Sequence, residues 1–529
     1  MFWTKNKEHD QSIAYTDPEG LNILRPASLD PQAVVEHQKT REEKWFLFKL
    51  DVFLLTFGCI SQVIKYLDQT NINTAYVSGM SDDLNLKGNE LNYFTTYFNV
   101  GYCIFLIPSQ VMITRFRPSL WLSGLELCWG ILTGCIAACK SAKQIYVLRA
   151  FIGIAESSAY PGTVTLLMTW YTPTEMAKRI GFYHSCQALG GMLSGALQTA
   201  IHTSLEGSHG IAGWQWTFII NCIMTIVVAI CGPFMLPDFP SKPNPWAFWL
   251  KPKDHEIARA RLNRVKRVSP NPINIPCALR TLKNPILYMM IWIYVGMLIA
   301  PSGNSYFQLW LRSLKNPDGS KVWGITQLNA IPLGGYAMQI AAVWFFAFGS
   351  DIFKTRWLML LTQCIIGFPP AIIMSIWNVP IGAKYYSYFI LYITNASGPC
   401  LWAWMSDMLP RDAEQRALII GICISLYYAI NAWANVLIWP ASQAPHYRYG
   451  WPVSCALWVT CGLVITTMRI YDVKIIRPRN YRVSQDDVVE QEAATPGLED
   501  TAGDSGPDSK LEGEDVKAGR TNVHVLPVV

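Results

Sequence analysis

The stretch LRAFIGIAESSAYPG, residues 148–162, carries two full charges, Arg149 and Glu156, inside an otherwise apolar run. A charged side chain is costly in hydrocarbon, and the few that membrane helices keep commonly mark a path for an ion or a substrate. The composition of the rest of the chain decides whether this run lies in lipid.

The composition indicates a membrane protein. Of the 529 residues, 51% are hydrophobic and only 15% are charged, whereas about a quarter of the residues in soluble globular domains are charged. Tryptophan, tyrosine and phenylalanine reach 13%, and many stand at the ends of apolar runs, where aromatic side chains anchor helices at the membrane interface. The chain is therefore expected to be embedded in a lipid bilayer.

The same composition argues against several other functions. The net charge of +6 is spread over many short loops, so no basic patch predicts a nucleic-acid partner. The 14 cysteines lack the paired spacing of a metal site or a disulfide framework, and no histidine cluster or nucleophile motif indicates catalysis. We expect no metal, no cofactor and no enzymatic activity. The first 45 residues are polar and contain no signal-peptide core.

The apolar runs predict an all-α membrane protein. A hydrocarbon core about 30 Å thick needs about 20 apolar residues of helix. Runs of this length predict twelve spans, at 50–76, 90–113, 119–139, 144–168, 180–202, 216–236, 284–306, 324–349, 357–377, 385–408, 417–440 and 451–471.

The basic residues predict the orientation of these spans, because cytoplasmic loops retain lysine and arginine. With the N-terminus inside, 32 of the 43 Lys and Arg residues fall on the cytoplasmic side, 8 fall outside and three lie within spans. Both termini are therefore predicted to be cytoplasmic. We expect residues in the turns after the second and eighth spans to gate the cytoplasmic side: Arg115, Arg117, Asp351 and Arg356.

A long linker divides the spans six and six. The predicted parts are a cytoplasmic tail (1–49), a first half (50–236), the linker (237–283), a second half (284–471) and a disordered acidic tail (472–529). The linker stretch DHEIARARLNRVKR has the spacing of a short amphipathic helix on the membrane surface. Two six-helix halves with matching basic turns are typical of a major facilitator fold, in which the substrate site lies at mid-membrane between the halves.

The few ionisable residues within the predicted spans are the first candidates for function. Lys65 and Asp68 are spaced i, i+3 and can pair locally. Arg149 and Glu156 share a helix face but lie about 10.5 Å apart along the axis, so each needs a partner on another helix or a ligand. Arg149 can instead form a structural ion pair with Asp68. Glu126 receives no role.

Six blocks of the chain carry a family resemblance: KYLDQTNINTAYVSGMSDDL (65–84), GYCIFLIPSQVM (101–112), LRAFIGIAESSAYPG (148–162), WYTPTEMAKR (170–179), GIAGWQWTFII (210–220) and NSYFQLWLRSL (304–314). Together they resemble the fungal allantoate permease branch of the anion:cation symporter family, and within it the pantothenate and biotin transporters. The resemblance implies proton-coupled uptake of a small organic anion across the plasma membrane.

The resemblance also implies roles for individual residues. Glu156 corresponds to the family's proton carrier, with Asp68 as a second proton-coupling residue. The commoner motif Asp-Arg in the first span is here Asp68-Gln69. An amide cannot neutralise a carboxylate, so Arg149 or Lys65 must meet the charge of the anion. Members of the pantothenate type resemble this chain in having Asp-Gln, which favours a substrate with both an amide and a carboxylate.

Further polar residues near mid-span are predicted to line the substrate site. Each can equally well form a hydrogen bond between helices, and a histidine in a core is commonly structural. The predicted lining residues are Tyr102, His184, Gln187, Asn304, Asn395 and Asn431, of which Tyr102 corresponds to a cavity tyrosine in similar organic-anion symporters.

The leading hypothesis is therefore a monomeric proton symporter that imports pantothenate or a similar carboxylated vitamin by alternating access. One alternative is an exporter of a secondary metabolite, because the direction of transport cannot be read from residues. Another is a nutrient sensor that binds without transporting, for which the acidic tail is a candidate signalling segment.

Overall fold

The computed structural model describes residues 40–240, 242–264, 275–353, 355–409 and 412–478, and most of them are helical. The predicted tails before residue 40 and after residue 478 lie outside the described residues. The helices in chain order are α1 Arg41–Asp83, α2 Glu90–Arg115, α3 Pro118–Ile136, α4 Ala142–Glu156, α5 Ala159–Trp170, α6 Pro173–Ser204, α7 Gly213–Met235, α8 Pro252–Arg264, α9 Ile275–Leu282, α10 Pro285–Ile299, α11 Phe307–Ser313, α12 Ile325–Ile352, α13 Arg356–Ile376, α14 Ile381–Ile393, α15 Ser397–Met408, α16 Ala413–Ile438 and α17 Gly450–Tyr471.

Nine helical segments among the described residues are long and apolar enough to cross a membrane. The predicted spans 144–168 and 385–408 are each made of two shorter helices. The first breaks at Ser157 and Ser158, and the second breaks at the 3₁₀ turn Thr394–Ala396. The predicted span 180–202 lies within the long helix α6. The membrane-spanning part of the described chain is therefore a helical bundle, as predicted, with these interruptions inside two of the predicted spans.

Helix α1 begins at Arg41 rather than at residue 50, because one face of its first turns packs against the linker. Lys49 forms an ion pair of 2.8 Å with Asp254 on α8, and Phe53 stacks on Trp249 with ring centroids 4.7 Å apart. The helix passes through two π turns and kinks near Gly79, whose φ is +121°.

The linker contains the predicted amphipathic helix as α8, and also a second helix, α9, and the short strands Asp238–Phe239 and Lys242–Pro243, which the sequence did not predict. Helix α8 is bound to the first half, where Arg261 pairs with Glu175 at 2.5 Å in a buried site. Helix α9 is bound to the second half by Arg280 and Asp412, 3.2 Å apart. Each linker helix therefore belongs to a different half.

Glycines bring α2 and α4 into close contact. A Cβ atom at Gly101 would overlap the carbonyl oxygen of Ala150, and a Cβ atom at Gly153 would overlap that of Phe98. The two backbones can approach this closely only because both positions lack a side chain. The crossing sets Tyr102 of α2 beside the face of α4 that bears Arg149 and Glu156.

The halves are joined at one end of the bundle by a buried amide. The two Nδ2 protons of Asn92 face three oxygens of the second half: Tyr306 Oη at 2.9 Å, Asn435 O at 3.1 Å and Trp439 O at 2.8 Å. Its Oδ1 accepts from the backbone N–H of Ala441 at 2.7 Å. Asn92 is 2% exposed, so its hydrogen bonds are shielded from competing water.

An ion pair lies at the same end. Arg312 donates to both carboxylate oxygens of Asp82, at 3.0 and 2.8 Å, and to the Ser81 hydroxyl at 2.7 Å. A cavity of about 200 Å³ beside this pair is lined in part by Lys321 and Trp323. Among the described residues, this is the ion pair that links the two halves. We call the contacts of Asn92 and of Arg312 the latch.

Candidate functional site

Four charged residues converge in the interior of the first half. Lys65 and Asp68 come from α1, and Arg149 and Glu156 come from α4; none is more than 3% exposed. Arg149 and Glu156 lie close enough to Asp68 to interact with it electrostatically. The residues that the sequence singled out as costly are therefore brought together.

Gln69 binds Glu156 directly. Its Nε2 donates to Glu156 Oε2 at 2.8 Å, whereas Glu156 Oε1 is buried without a hydrogen-bond partner among the described residues. The amide that replaces the commoner arginine therefore holds one carboxylate oxygen and leaves the other available. A carboxyl held in this way can take a proton on Oε1 without losing its orientation.

Lys65 does not form the local pair that its spacing allowed. Its Nζ donates to Tyr102 Oη at 3.1 Å and lies 4.8 Å from the centroid of the Tyr102 ring. Neither oxygen of Asp68 has a hydrogen-bond partner among the described residues. Lys65 is thus a buried cation whose direct polar partner is a neutral phenol.

Arg149 likewise does not form the alternative ion pair with Asp68. Its guanidinium lies over the ring of Phe98, with Cζ 4.9 Å from the ring centroid, and its Nε has no hydrogen-bond partner in the described part of the chain. A cation over an aromatic face is attracted by the quadrupole of the ring, which explains how this charge is tolerated without a carboxylate in contact.

Tyrosines surround this cluster, and the sequence analysis missed most of them. Five tyrosines from both halves lie near one another and near the charged cluster: Tyr66, Tyr160, Tyr294, Tyr427 and Tyr428. All five are half-buried, so each keeps part of its surface accessible inside the bundle. Phenols can donate and accept hydrogen bonds and pack flat against a ligand. In the sequence alone they could not be distinguished from aromatic residues that anchor helices at the interface.

The other predicted lining residues are placed unevenly. His184 Nε2 lies 3.0 Å from Tyr160 Oη and near Gly398 of the second half, so it adjoins the tyrosines. Gln187 and Asn395 are half-buried, and Asn395 lies in the break between α14 and α15. Asn431 is buried on α16.

Asn304 lies in the segment that leads into the latch. It stands in the 3₁₀ segment Ala300–Tyr306, whose last residue contacts the latch amide, and Ser305 Oγ lies 3.5 Å from its Oδ1. Sequence position near mid-span did not reveal this, because α10 ends in a 3₁₀ segment rather than continuing as α-helix.

The predicted gating residues lie at the end of the bundle opposite the latch. Arg356 donates to Ser350 Oγ at 2.8 Å and lies 3.5 Å from Asp407. Arg115 and Arg117 are exposed. The side chain of Asp351 lies outside the described residues, so its predicted contact stays a prediction.

No metal centre competes with this interpretation in the described ranges, because no group of three or more His, Cys, Asp or Glu side chains there is placed to hold an ion. The cluster and its tyrosines offer instead a cation, an acid with one free oxygen, amides and phenols. These groups suit the reversible binding of a small polar anion.

Comparisons with known proteins agree with this fold. The profile of the Major Facilitator Superfamily matches residues 58–435. The chain is 30% identical to the pantothenate transporter liz1 of Schizosaccharomyces pombe, covering 84% of this chain and 85% of that protein. It is 31% identical to the vitamin H transporter of Saccharomyces cerevisiae, covering 80% and 72%. The xylose transporter XylE of E. coli, in a partially occluded inward-open conformation, superposes with a TM-score of 0.58 at 11% identity, covering 80% of this chain and 99% of that chain.

The family match and the transporter relatives indicate a membrane-embedded, multi-pass transport protein rather than an enzyme. The chain belongs to the Major Facilitator Superfamily, and its relatives include fungal pantothenate and vitamin H transporters at about 30% identity.

Proposed function

We propose that this protein is a monomeric proton symporter that imports pantothenate or a similar carboxylated vitamin across the plasma membrane. The observation that carries the proposal is Lys65, a cation 1% exposed that has a phenol and no carboxylate as its direct partner. A buried charge without a carboxylate in contact is unfavourable, and the carboxylate of an organic substrate supplies that contact.

The proton site in this proposal is Glu156, which lies within electrostatic reach of Lys65 and Arg149. An anion that binds Lys65 brings negative charge beside Glu156 and so favours the protonated carboxyl. Gln69 keeps Oε2 in place while the proton occupies Oε1. Asp68 is the second coupling group, since both of its oxygens are buried without a partner among the described residues. Substrate and proton are then carried together because each lowers the cost of burying the other.

Alternating access in twelve spans with both termini in the cytoplasm completes the proposal. In this orientation the latch closes the extracellular end of the bundle. The relatives named as pantothenate transporters support the substrate class, as does Gln69, which can bind an amide or a carboxyl group.

The test is radiolabelled uptake of pantothenate, biotin, nicotinate and allantoate at two pH values in cells that lack their own uptake systems. We expect Glu156→Gln to abolish concentrative uptake and its pH dependence but to keep exchange of labelled for unlabelled substrate, because exchange needs no net proton release. Glu126→Gln is the matched control, because Glu126 is an equally buried glutamate on α3. Coupled uptake that is unchanged in Glu156→Gln would refute the proton assignment.

Lys65 is tested separately. Hydrogen bonds to charged groups contribute about 1.5–3 kcal/mol, so Lys65→Gln should raise KM by about 10- to 150-fold, and Lys65→Arg should restore part of the affinity. Equal KM values for wild type and Lys65→Gln would place the anion elsewhere. Export of label from loaded cells with no import would favour the exporter, and binding without either flux would favour the sensor.

A further inference from the structure

The halves also touch at the centre of the bundle, through two tyrosine rings. Tyr102 of α2 and Tyr428 of α16 have ring centroids 3.8 Å apart and planes inclined by 24°. Tyr428 also contacts Tyr427 edge-on, with ring centroids 5.2 Å apart. Tyr427 in turn packs edge-on against Tyr294, with centroids 6.1 Å apart. The second half therefore presents a supported aromatic face to Tyr102.

Tyr102 connects this stack to the anion site. Its hydroxyl oxygen accepts from Lys65 Nζ at 3.1 Å, and its ring lies 4.8 Å from the same nitrogen. The phenol oxygen therefore occupies a position where the carboxylate of a substrate would otherwise accept from Lys65. Of the three donors of this ammonium group, Tyr102 occupies one that a bound anion would otherwise receive.

We propose that Tyr428 is a positioning residue that drives release of the carboxylate. In the latched state its ring holds Tyr102 against Lys65, so the phenol oxygen takes over the ammonium group. When the halves rearrange, α2 and α16 shift, the stack parts, and Lys65 becomes free to bind an organic carboxylate. The inference rests on the proposed function, because it requires that Lys65 binds the anion.

The chemistry gives the expected sign. Phenol oxygen is a weaker acceptor for an ammonium group than carboxylate, so Tyr102 wins only while the stack prevents it from turning away. Aromatic pairing of this kind is comparable in strength to a three- to tenfold change in an equilibrium. Loss of the Tyr428 ring should therefore tighten anion binding in the latched state and slow release.

The experiment measures equilibrium binding of radiolabelled pantothenate to the purified full chain, together with KM and Vmax of uptake. Tyr428→Leu should lower Kd by about three- to tenfold and lower Vmax as release slows. Tyr428→Phe keeps the ring and should restore the wild-type values. Tyr97→Leu is the matched control, since Tyr97 stacks on Tyr146 within the first half, with centroids 5.0 Å apart, and it should leave Kd unchanged.

A merely structural role for Tyr428 predicts the opposite sign, because damage to the site weakens binding. Weaker or unchanged binding by Tyr428→Leu would overturn the inference. If Tyr428→Leu does not fold, Tyr102→Phe serves as the second variant, because it removes the phenol oxygen alone. Tyr102→Phe should also tighten binding of the anion. Weaker or unchanged binding by Tyr102→Phe would likewise overturn the inference. Failure of the wild type to bind any carboxylate would instead refute the proposed function, whereas carboxylate binding that depends on Lys65 but not on Tyr428 would refute this inference alone.

Discussion

Removal of the latch amide should shift the protein toward the opposite-facing state. Asn92→Ala removes the contacts of one carboxamide with Tyr306, Asn435, Trp439 and Ala441, whose donor–acceptor distances range from 2.7 to 3.1 Å. Each net hydrogen bond contributes about 0.5–1.5 kcal/mol. The two amide protons can serve at most two of the three oxygens at a time, and Oδ1 accepts one further bond. We therefore count two to three hydrogen bonds, which together contribute about 2–3 kcal/mol.

This energy is comparable to the difference between the conformations of a two-state protein, so the variant should populate the unlatched state roughly 30- to 150-fold more relative to the latched state. Hydrogen exchange of the purified protein measures the shift. Amides around Asn92 and Ala441 should exchange faster, whereas amides near Trp170 and Met408, at the opposite end, should exchange more slowly as that end closes.

Asn244→Ala is the matched control. Asn244 is also a buried asparagine, and its side chain makes three hydrogen bonds to backbone groups, with Pro233, Leu236 and Trp246, but none crosses between the halves. Its loss should speed exchange locally without slowing exchange elsewhere. If exchange in Asn92→Ala rises at both ends, the amide only stabilises the fold, and the latch interpretation is wrong.

Two further predictions concern packing and pH. Gly101→Ala places a methyl group against the carbonyl oxygen of Ala150 and should cost about 1–3 kcal/mol of stability or more, seen as a lower thermal midpoint. Gly124→Ala is the control and should not lower the midpoint, because no heavy atom lies within 4 Å of the added Cβ. Equal losses of thermal midpoint in the two variants would contradict the close contact of α2 and α4. Burial lowers the pKa of His255 on the linker helix α8, opposed by Asp254 and reinforced by Arg259. A lowered folded-state pKa means that the stability from neutral His255 is present above the ordinary value of 6.5 and is lost as the pH falls. Amide exchange of α8 should therefore accelerate in mild acid after correction for intrinsic rates. His255→Gln should reduce this acceleration, and an identical pH response in that variant would assign the effect to another group.

The membrane helices could be predicted from sequence because hydropathy over 20 residues is a local property. The start of α1 could not, because residues near Arg41 are polar and become helical against α8, which lies some 200 residues later in the chain. Hydropathy likewise predicted 385–408 as one continuous span and did not place its 3₁₀ interruption at Thr394–Ala396.

The site shows the same division. Buried charges such as Lys65 and Glu156 stand out in any apolar run, so they were found as candidates. Their partners were not, because i, i+3 spacing favoured Asp68 for Lys65, whereas the observed partner is Tyr102 on another helix. Tyr428 gave no signal, since its importance depends on a ring contributed by the opposite half.

Helix α8 is attached to one half of the bundle, and helix α9 is attached to the other. The buried pair of Arg261 and Glu175 holds α8, and Arg280 with Asp412 holds α9, so each helix is docked independently of the other. Rocking of the halves therefore need not detach either helix. A chain cut between α8 and α9 and expressed as two pieces should still assemble, with each linker helix bound to the half on its own fragment.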